Sequence, residues 1–334
     1  MKLELIQDWT DYNKSLLCSH DYYTDNGNKI YQLDHPYPIP NLLTNSQAHA
    51  SSLFEILQAN IPNYPPDHKI TILDIGSGQG LFARELLIAA KESGLLDRIE
   101  IIVSDISVKA LEDIAQSKIL DEFTGHYQLM ELDAFNPPTS LKDISMITMN
   151  YVYDALEMQP LRYQDDQFQK MQVKLLRPVD LEPGPFPLQT LVMESRWQDY
   201  KAESPNEKKY FKHLNQDPEQ LYSYQAIAIT EKLASLLDEH GFIFVAEMLE
   251  AKSPDLCFDL YGNCCAHETN ELLIIRAMEA QGMEALLAKD SQLMRIFFFQ
   301  NAEIKARLKD ILYKEFNGIT RTDKFLKSIQ QKEL

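Results

Sequence analysis

The sequence predicts an α/β fold in which a largely parallel sheet carries helices on both faces, and three observations point there. Strand-length apolar runs alternate with helical patterns at βα spacing, a glycine-rich loop joins the first such strand to the first helix, and an acid follows each of the next two strands.

From Lys69 the elements read in order as KITILDIG, GLFARELLIAAKESG, IEIIVSDIS, VKALEDIAQSKIL, YQLMELDAF and ISMITMNYV: strand, helix, strand, helix, strand, strand. Before them, residues 1–66 are rich in Tyr, Asn, Asp and Pro and give one helix near Ser46 to Gln58, which reads as an N-terminal cap or lid. Residues 67–250 form the sheet domain, with an insertion at about 159–215 that contains a strand, FQKMQVKLL, of a hairpin, and a further candidate strand, LQTLVMESRW. The core pattern resumes as a helix near Ala226 to Glu239 stopped by Gly241 at C′, then the strand FIFVAEM. Residues 251–334 are expected to hold the final strands and a mostly helical C-terminal region. There IFFFQ reads as a core helix or a homodimer face, since such runs seldom stay exposed on monomers.

A 45% hydrophobic content is enough for a full core, and the formal net charge of −18 argues against gripping nucleic acid through the overall field. An acidic surface suits a basic partner. The four cysteines, Cys18, Cys257, Cys264 and Cys265, form no CxxC pair; a reducing cytoplasm fits them, and Cys264 with Cys265 reads as a buried thiol pair. The scattered histidines His20, His35, His49 and His68 lack ligand spacing, so no metal site is expected. The N-terminal residues lack a basic-then-apolar order, and no run reaches the roughly 18 apolar residues that span a bilayer.

In ITILDIGSGQG an apolar strand runs straight into Gly76, Ser77, Gly78 and Gly80. Glycines let the backbone turn tightly and approach a ligand. A dinucleotide fingerprint needs a glycine where Leu81 stands, and Asp74 would repel a pyrophosphate, so NAD is disfavoured. An ammonium or sulfonium would be attracted to that carboxylate. Taken singly, a GxGxG is also an ordinary tight turn and a strand-end acid an ordinary helix cap. The order of loop, acid and acid along one sheet edge favours a ligand.

The segment DIGSGQG resembles the first motif of class I S-adenosylmethionine-dependent methyltransferases, and the resemblance runs from about Lys69 to Met248. It implies a Rossmann-like seven-stranded sheet and S-adenosyl-L-methionine as cofactor, with S-adenosyl-L-homocysteine as product. It also implies that Asp105 accepts the ribose hydroxyls, that Asp133 and Ala134 meet the adenine edge, and that Ile106 and Phe135 pack on its faces. The acceptor is implied just past the fourth strand, at Asn150, Tyr151, Asp154 and Glu157, with Asn150 also near the cofactor. On a helix starting near Tyr151, Asp154 and Glu157 would share a face toward an incoming cation. Glu194 and Glu247 are further acids for a cationic acceptor.

NYVYDALEMQPL resembles, more weakly, the segment NEFFDALPVHQF of the MidA-like branch, which includes mitochondrial complex I assembly factors that methylate protein arginine. Tyr22, Tyr23 and Thr44 would match its early motifs. Two positions depart: Tyr151 stands for its Glu and Glu157 for its Pro. Three classes of function follow: methylation of a protein side chain, methylation of a small metabolite, or a cofactor-fold assembly protein without catalysis.

Overall fold

The computed structural model describes residues 2–18, 46–179, 191–202, 205–214, 220–248, 258–261, 264–267, 269–289 and 293–315. In chain order the first elements are β1 Leu3–Asp11, α1 Gln47–Asn60, β2 Ile70–Ile75, α2 Leu81–Glu92, β3 Ile99–Asp105, α3 Val108–Ser117, β4 Tyr127–Glu131 and β5 Ile144–Asn150. Then come β6 Gln159–Gln164, β7 Gln167–Pro178, β8 Val192–Asp199, α4 Pro205–Phe211, β9 Gln220–Tyr222, α5 Tyr224–Ala234 and β10 Leu237–Met248. The last are β11 Phe258–Tyr261, β12 Cys264–His267, α6 Glu271–Glu279, β13 Glu284–Lys289, β14 Leu293–Phe299 and α7 Ala302–Glu315. They form two compact units, one of residues 41–152, 229–249 and 278–334, the other of residues 1–40, 153–228 and 250–277.

The first unit carries the expected seven-stranded sheet, in the order β13-β14-β10-β5-β2-β3-β4. Strands β10, β5, β2, β3 and β4 are parallel, and β14 runs antiparallel to both neighbours. The central strands are buried on both faces, which is why they read as apolar runs without alternation. Helix α1 starts where expected: the Ser46 hydroxyl accepts the His49 N–H at 3.3 Å. It buries Leu53, Phe54, Ile56 and Leu57 in the core that also takes Phe82 and Leu86 of α2.

Two expectations are corrected. IFFFQ is no helix: Ile296, Phe297, Phe298 and Phe299 lie in β14, each fully buried, with Phe297 5.0 Å from Phe244 on β10. Nor does Gly241 cap a helix, because α5 ends at Ala234 and Gly241 sits inside β10. A glycine is needed there by close approach, since a Cβ would lie 2.7 Å from the Ile144 carbonyl oxygen.

In the second unit, the sheet order is β1-β7-β6-β9, with β8 also paired to β7. The expected hairpin is β6–β7; Asp165 and Asp166 at its tip have φ of 51° and 59°, as a two-residue type I′ turn requires. The VMESRW part of the other candidate strand lies in β8, and Met171, Val173 and Leu175 of β7 form a small core with Tyr12 and Leu17. Cys264 and Cys265 lie on β12, opposite Tyr261 and Leu260 of β11, while the expected thiol pair concerns side chains outside the described residues. Tyr22, Tyr23, Thr44, His20 and His35 also lie outside them. Among the described residues no helix is long and apolar enough to cross a membrane, and no group of three or more His, Cys, Asp or Glu is placed to hold a metal ion.

Candidate functional site

The C-terminal ends of β2, β3, β4 and β5 lie side by side, and the sequence-derived cofactor residues sit on them. Asp74, the penultimate residue of β2, is 2% exposed. Its carboxylate accepts the Thr148 hydroxyl from β5 and the Ser77 hydroxyl from the loop, each at 2.7 Å. Burial nevertheless pushes its pKa up to about 6, and the Asp105 charge adds to the rise, so the two hydroxyls only partly offset desolvation.

Beyond β2 the chain turns through Gly76, Gly78 and Gly80 at φ of 66°, 51° and 73°. This left-handed backbone is disfavoured for other residues, and a Cβ on Gly76 would also press to 3.2 Å of Val152 Cγ2. The loop is tied at both ends: Ser77 N–H donates to the Ser104 carbonyl at 2.9 Å, and Gly80 N–H to the Ser77 carbonyl at 2.8 Å.

Asp105 at the end of β3 accepts Gly78 N–H at 3.1 Å on one carboxylate oxygen and Ser107 N–H at 2.9 Å on the other. Burial raises its pKa, and the amides of Ser107, Gly78 and Ile106 oppose the rise. Each oxygen keeps acceptor capacity for a further donor. Ser107 caps α3 by accepting Ala110 N–H. Ile106 is 55% exposed beside the loop, a large apolar side chain without cover of its own.

Past β4, Asp133 accepts Phe135 N–H at 2.9 Å and the Asn136 side-chain amide at 2.7 Å, which folds the residues 133–136 into a tight turn. Ala134 is buried within it, and Lys232 of α5 donates to the Phe135 carbonyl. At the end of β5 the Asn150 side-chain oxygen is buried and has no hydrogen-bond partner among the described residues. Tyr151 follows with φ of 54°.

The structure thus brings Asp74, the glycine loop, Asp105, Ile106, Asp133, Ala134, Phe135, Asn150 and Tyr151 to one sheet edge in one unit. Asp154 and Glu157 belong to the other unit. The helix expected to align those two acids is a single 3-10 turn over Tyr153–Ala155, so the shared face does not form. Glu157 is half-buried, 3.5 Å from the Asn13 side-chain amide, and its own N–H donates to Gln225. Glu194 on β8 pairs with Lys174 of β7 at 3.3 Å. Asp154 is buried, and desolvation drives its carboxyl up to about 8 against the Ala155 amide that favours the anion. The sequence pattern missed Thr148, Ser104 and Lys232; Ser107 was readable as a helix cap before VKAL.

Because the folded pKa of Asp154 is raised, its contribution to stability is full below the ordinary carboxylate range and is lost as pH rises through about 8. Asp154→Asn keeps the shape of the protonated acid. The variant is expected to match the unmodified protein in thermal midpoint at acid pH and to exceed it by about 3 °C or more in mild alkali. An Asn variant that loses stability equally at both ends of that range would show the carboxylate to be a needed anion.

A seven-stranded sheet of this order, with a glycine loop and acids at adjacent strand ends, defines a Rossmann-like methyltransferase fold. The model of a family described as "Putative S-adenosyl-L-methionine-dependent methyltransferase" matches residues 50–246, and the chain belongs to that family. It is an S-adenosylmethionine-dependent methyltransferase of the class I fold. A COG1565 superfamily member from Burkholderia thailandensis, with S-adenosyl-homocysteine bound, aligns at TM-score 0.59 and 12% identity over 84% of this chain and 74% of that one. A native structure of an uncharacterized COG1565 superfamily protein from the same organism aligns at 0.59 and 12% over 87% of each. At that identity the likeness bears on fold. No curated protein matches the sequence.

Proposed function

We propose that the sheet edge described above holds S-adenosylmethionine and that the enzyme transfers its methyl group to a protein side chain. The observation that carries the cofactor placement is complementarity of donors and acceptors. The edge offers three carboxylates, Asp74, Asp105 and Asp133, none with an ion-pair partner among the described residues, together with the buried, unpartnered Asn150 oxygen. The cofactor offers an ammonium, a ribose diol and an adenine amine, all donors. In this reading Asp74 and Asn150 face the ammonium end, Gly76 to Gly80 line the methionine portion, and Asp105 takes the diol. Asp133 and Ala134 take the adenine edge between Ile106 and Phe135. The sulfonium supplies an already activated methyl, so the protein's own work is to position donor and acceptor and to exclude water.

The net charge of −18 supports a basic protein as acceptor, as does the weak MidA-like resemblance. An arginine acceptor needs carboxylates to polarise a guanidinium whose pKa exceeds about 12. Asp154, whose carboxyl burial holds well above the ordinary carboxylate range, is poorly suited to that need. Incubation of the enzyme with methyl-labelled cofactor and a cell extract, separated into protein and small-molecule fractions, tests the acceptor. Label in protein, located by mass spectrometry, supports this reading; label confined to metabolites overturns it. Cofactor binding with no transfer to either fraction favours an assembly role.

The Asp74 assignment carries its own pH dependence. An ammonium beside the carboxylate favours the ionised form, while the free protein holds the proton up to about pH 6. Affinity for the cofactor is therefore expected to fall about tenfold per unit as pH drops below that point. Asp74→Asn should flatten the profile, and a flat profile in the unmodified protein would remove Asp74 from contact with the cation.

A further inference from the structure

The turn that ends β5 is held in a conformation its own residues do not favour. Tyr151 has φ of 54°, a left-handed backbone disfavoured for any residue with a Cβ. Two bonds from β10 hold it there. Tyr151 N–H donates to the Ala246 carbonyl at 2.8 Å, and Val152 N–H donates to Glu247 Oε1 at 3.1 Å. Glu247 is 1% exposed, so its carboxylate reaches that amide from inside the protein. The turn in turn places Val152 over the glycine loop, with Cγ2 at 3.2 Å from where a Gly76 Cβ would stand. Strain held by surrounding structure at a sheet edge is a recurrent device for fixing a site's geometry.

We infer that Glu247 is a positioning residue for cofactor binding. Its side-chain oxygen, as an acceptor for Val152 N–H, keeps Tyr151 left-handed and fixes the wall that Val152 makes against the glycine loop. The inference rests on the cofactor placement proposed above. It assigns Glu247 the task of accepting a backbone N–H, which does not require the charge that an acid for a cationic acceptor would need.

Substitutions separate the two tasks. Glu247→Gln keeps the acceptor oxygen at the same reach without the charge, Glu247→Ala removes it, and Glu247→Asp keeps the charge but draws it back by one methylene. Calorimetric titration with S-adenosylhomocysteine is expected to give an affinity within about threefold of the unmodified protein for the Gln variant and at least about tenfold weaker for the Ala variant. A residue that only stabilised the fold would lower the thermal midpoint without changing the affinity of the folded fraction. A Gln variant as weak as the Ala variant, or an Ala variant that binds normally, overturns the inference. Should Glu247→Ala fail to fold, Glu247→Asp replaces it: Gln binding more tightly than Asp supports the role, and the reverse order overturns it. Amide hydrogen exchange at Val152 without ligand, slow in the unmodified and Gln proteins and faster in the Ala or Asp variant, reads the clamp independently of the cofactor. If the unmodified protein does not bind S-adenosylhomocysteine, the cofactor placement fails; if its Val152 amide exchanges rapidly, this inference fails.

Discussion

Asp105→Ala is expected to weaken S-adenosylhomocysteine binding by about 100-fold, close to 3 kcal/mol. Two charge-assisted hydrogen bonds to a ribose diol account for a loss of that size, each being worth about 1.5–3 kcal/mol before the cost of ordering. A second contribution comes from the loop. The carboxylate also accepts Gly78 N–H and Ser107 N–H, so its removal frees the glycine loop from the start of α3. Titration calorimetry measures the affinity, and the thermal midpoint without ligand reports the loop's share. The prediction is that ligand no longer raises the midpoint at concentrations that saturate the unmodified protein. Unchanged affinity would take Asp105 out of the site and leave it a residue that ties the glycine loop to the start of α3.

What could be read from the sequence, and what could not, follows the range of the interactions. The placement of the glycine loop, Asp105 and Asp133 at one sheet edge was legible because each is announced within a few residues of an apolar strand, and strand ends in a parallel sheet converge on one edge. Ser46 announced α1 for the same reason. IFFFQ was misread because a strand buried on both faces has no alternation to distinguish it from a buried helix, and the flanking helical pattern of α7 extended the error backward. Asp154 and Glu157 were assigned a shared helical face from a three-residue spacing, but only one 3-10 turn forms before β6 begins. The link from Glu247 to Val152 spans 95 residues of sequence and leaves no local pattern at either end.

Gly241 makes another such long-range contact, with expected effects on both stability and the proposed site. A glycine a few residues after a helical pattern signals a C-cap, yet here its small size is what matters, and its neighbour lies on another strand. A Cβ at this position would stand 2.7 Å from the Ile144 carbonyl oxygen and 3.1 Å from the Leu237 side chain. The β10 pairing with β5 also shifts register between Leu237 and Phe242, so the backbone there is already irregular. Gly241→Ala is expected to destabilise the protein by about 3 kcal/mol, the upper end for overpacking, because a carbonyl oxygen cannot swing aside as a side chain can. At about 2–4 °C per kcal/mol the thermal midpoint should fall by roughly 6–12 °C. Leu237→Ala in the same chain removes the Leu237 Cδ2 contact but keeps the Leu237 Cβ and Ile144 carbonyl ones, so it should not restore the midpoint; recovery would show that the clash is with Leu237 Cδ2 alone. The same strand runs on from Gly241 to Ala246 and Glu247, which hold Tyr151 and Val152. The folded fraction of Gly241→Ala should therefore also bind S-adenosylhomocysteine more weakly. Normal affinity in that fraction would mean that the strain is absorbed in the irregular stretch between Leu237 and Phe242 and does not reach the site.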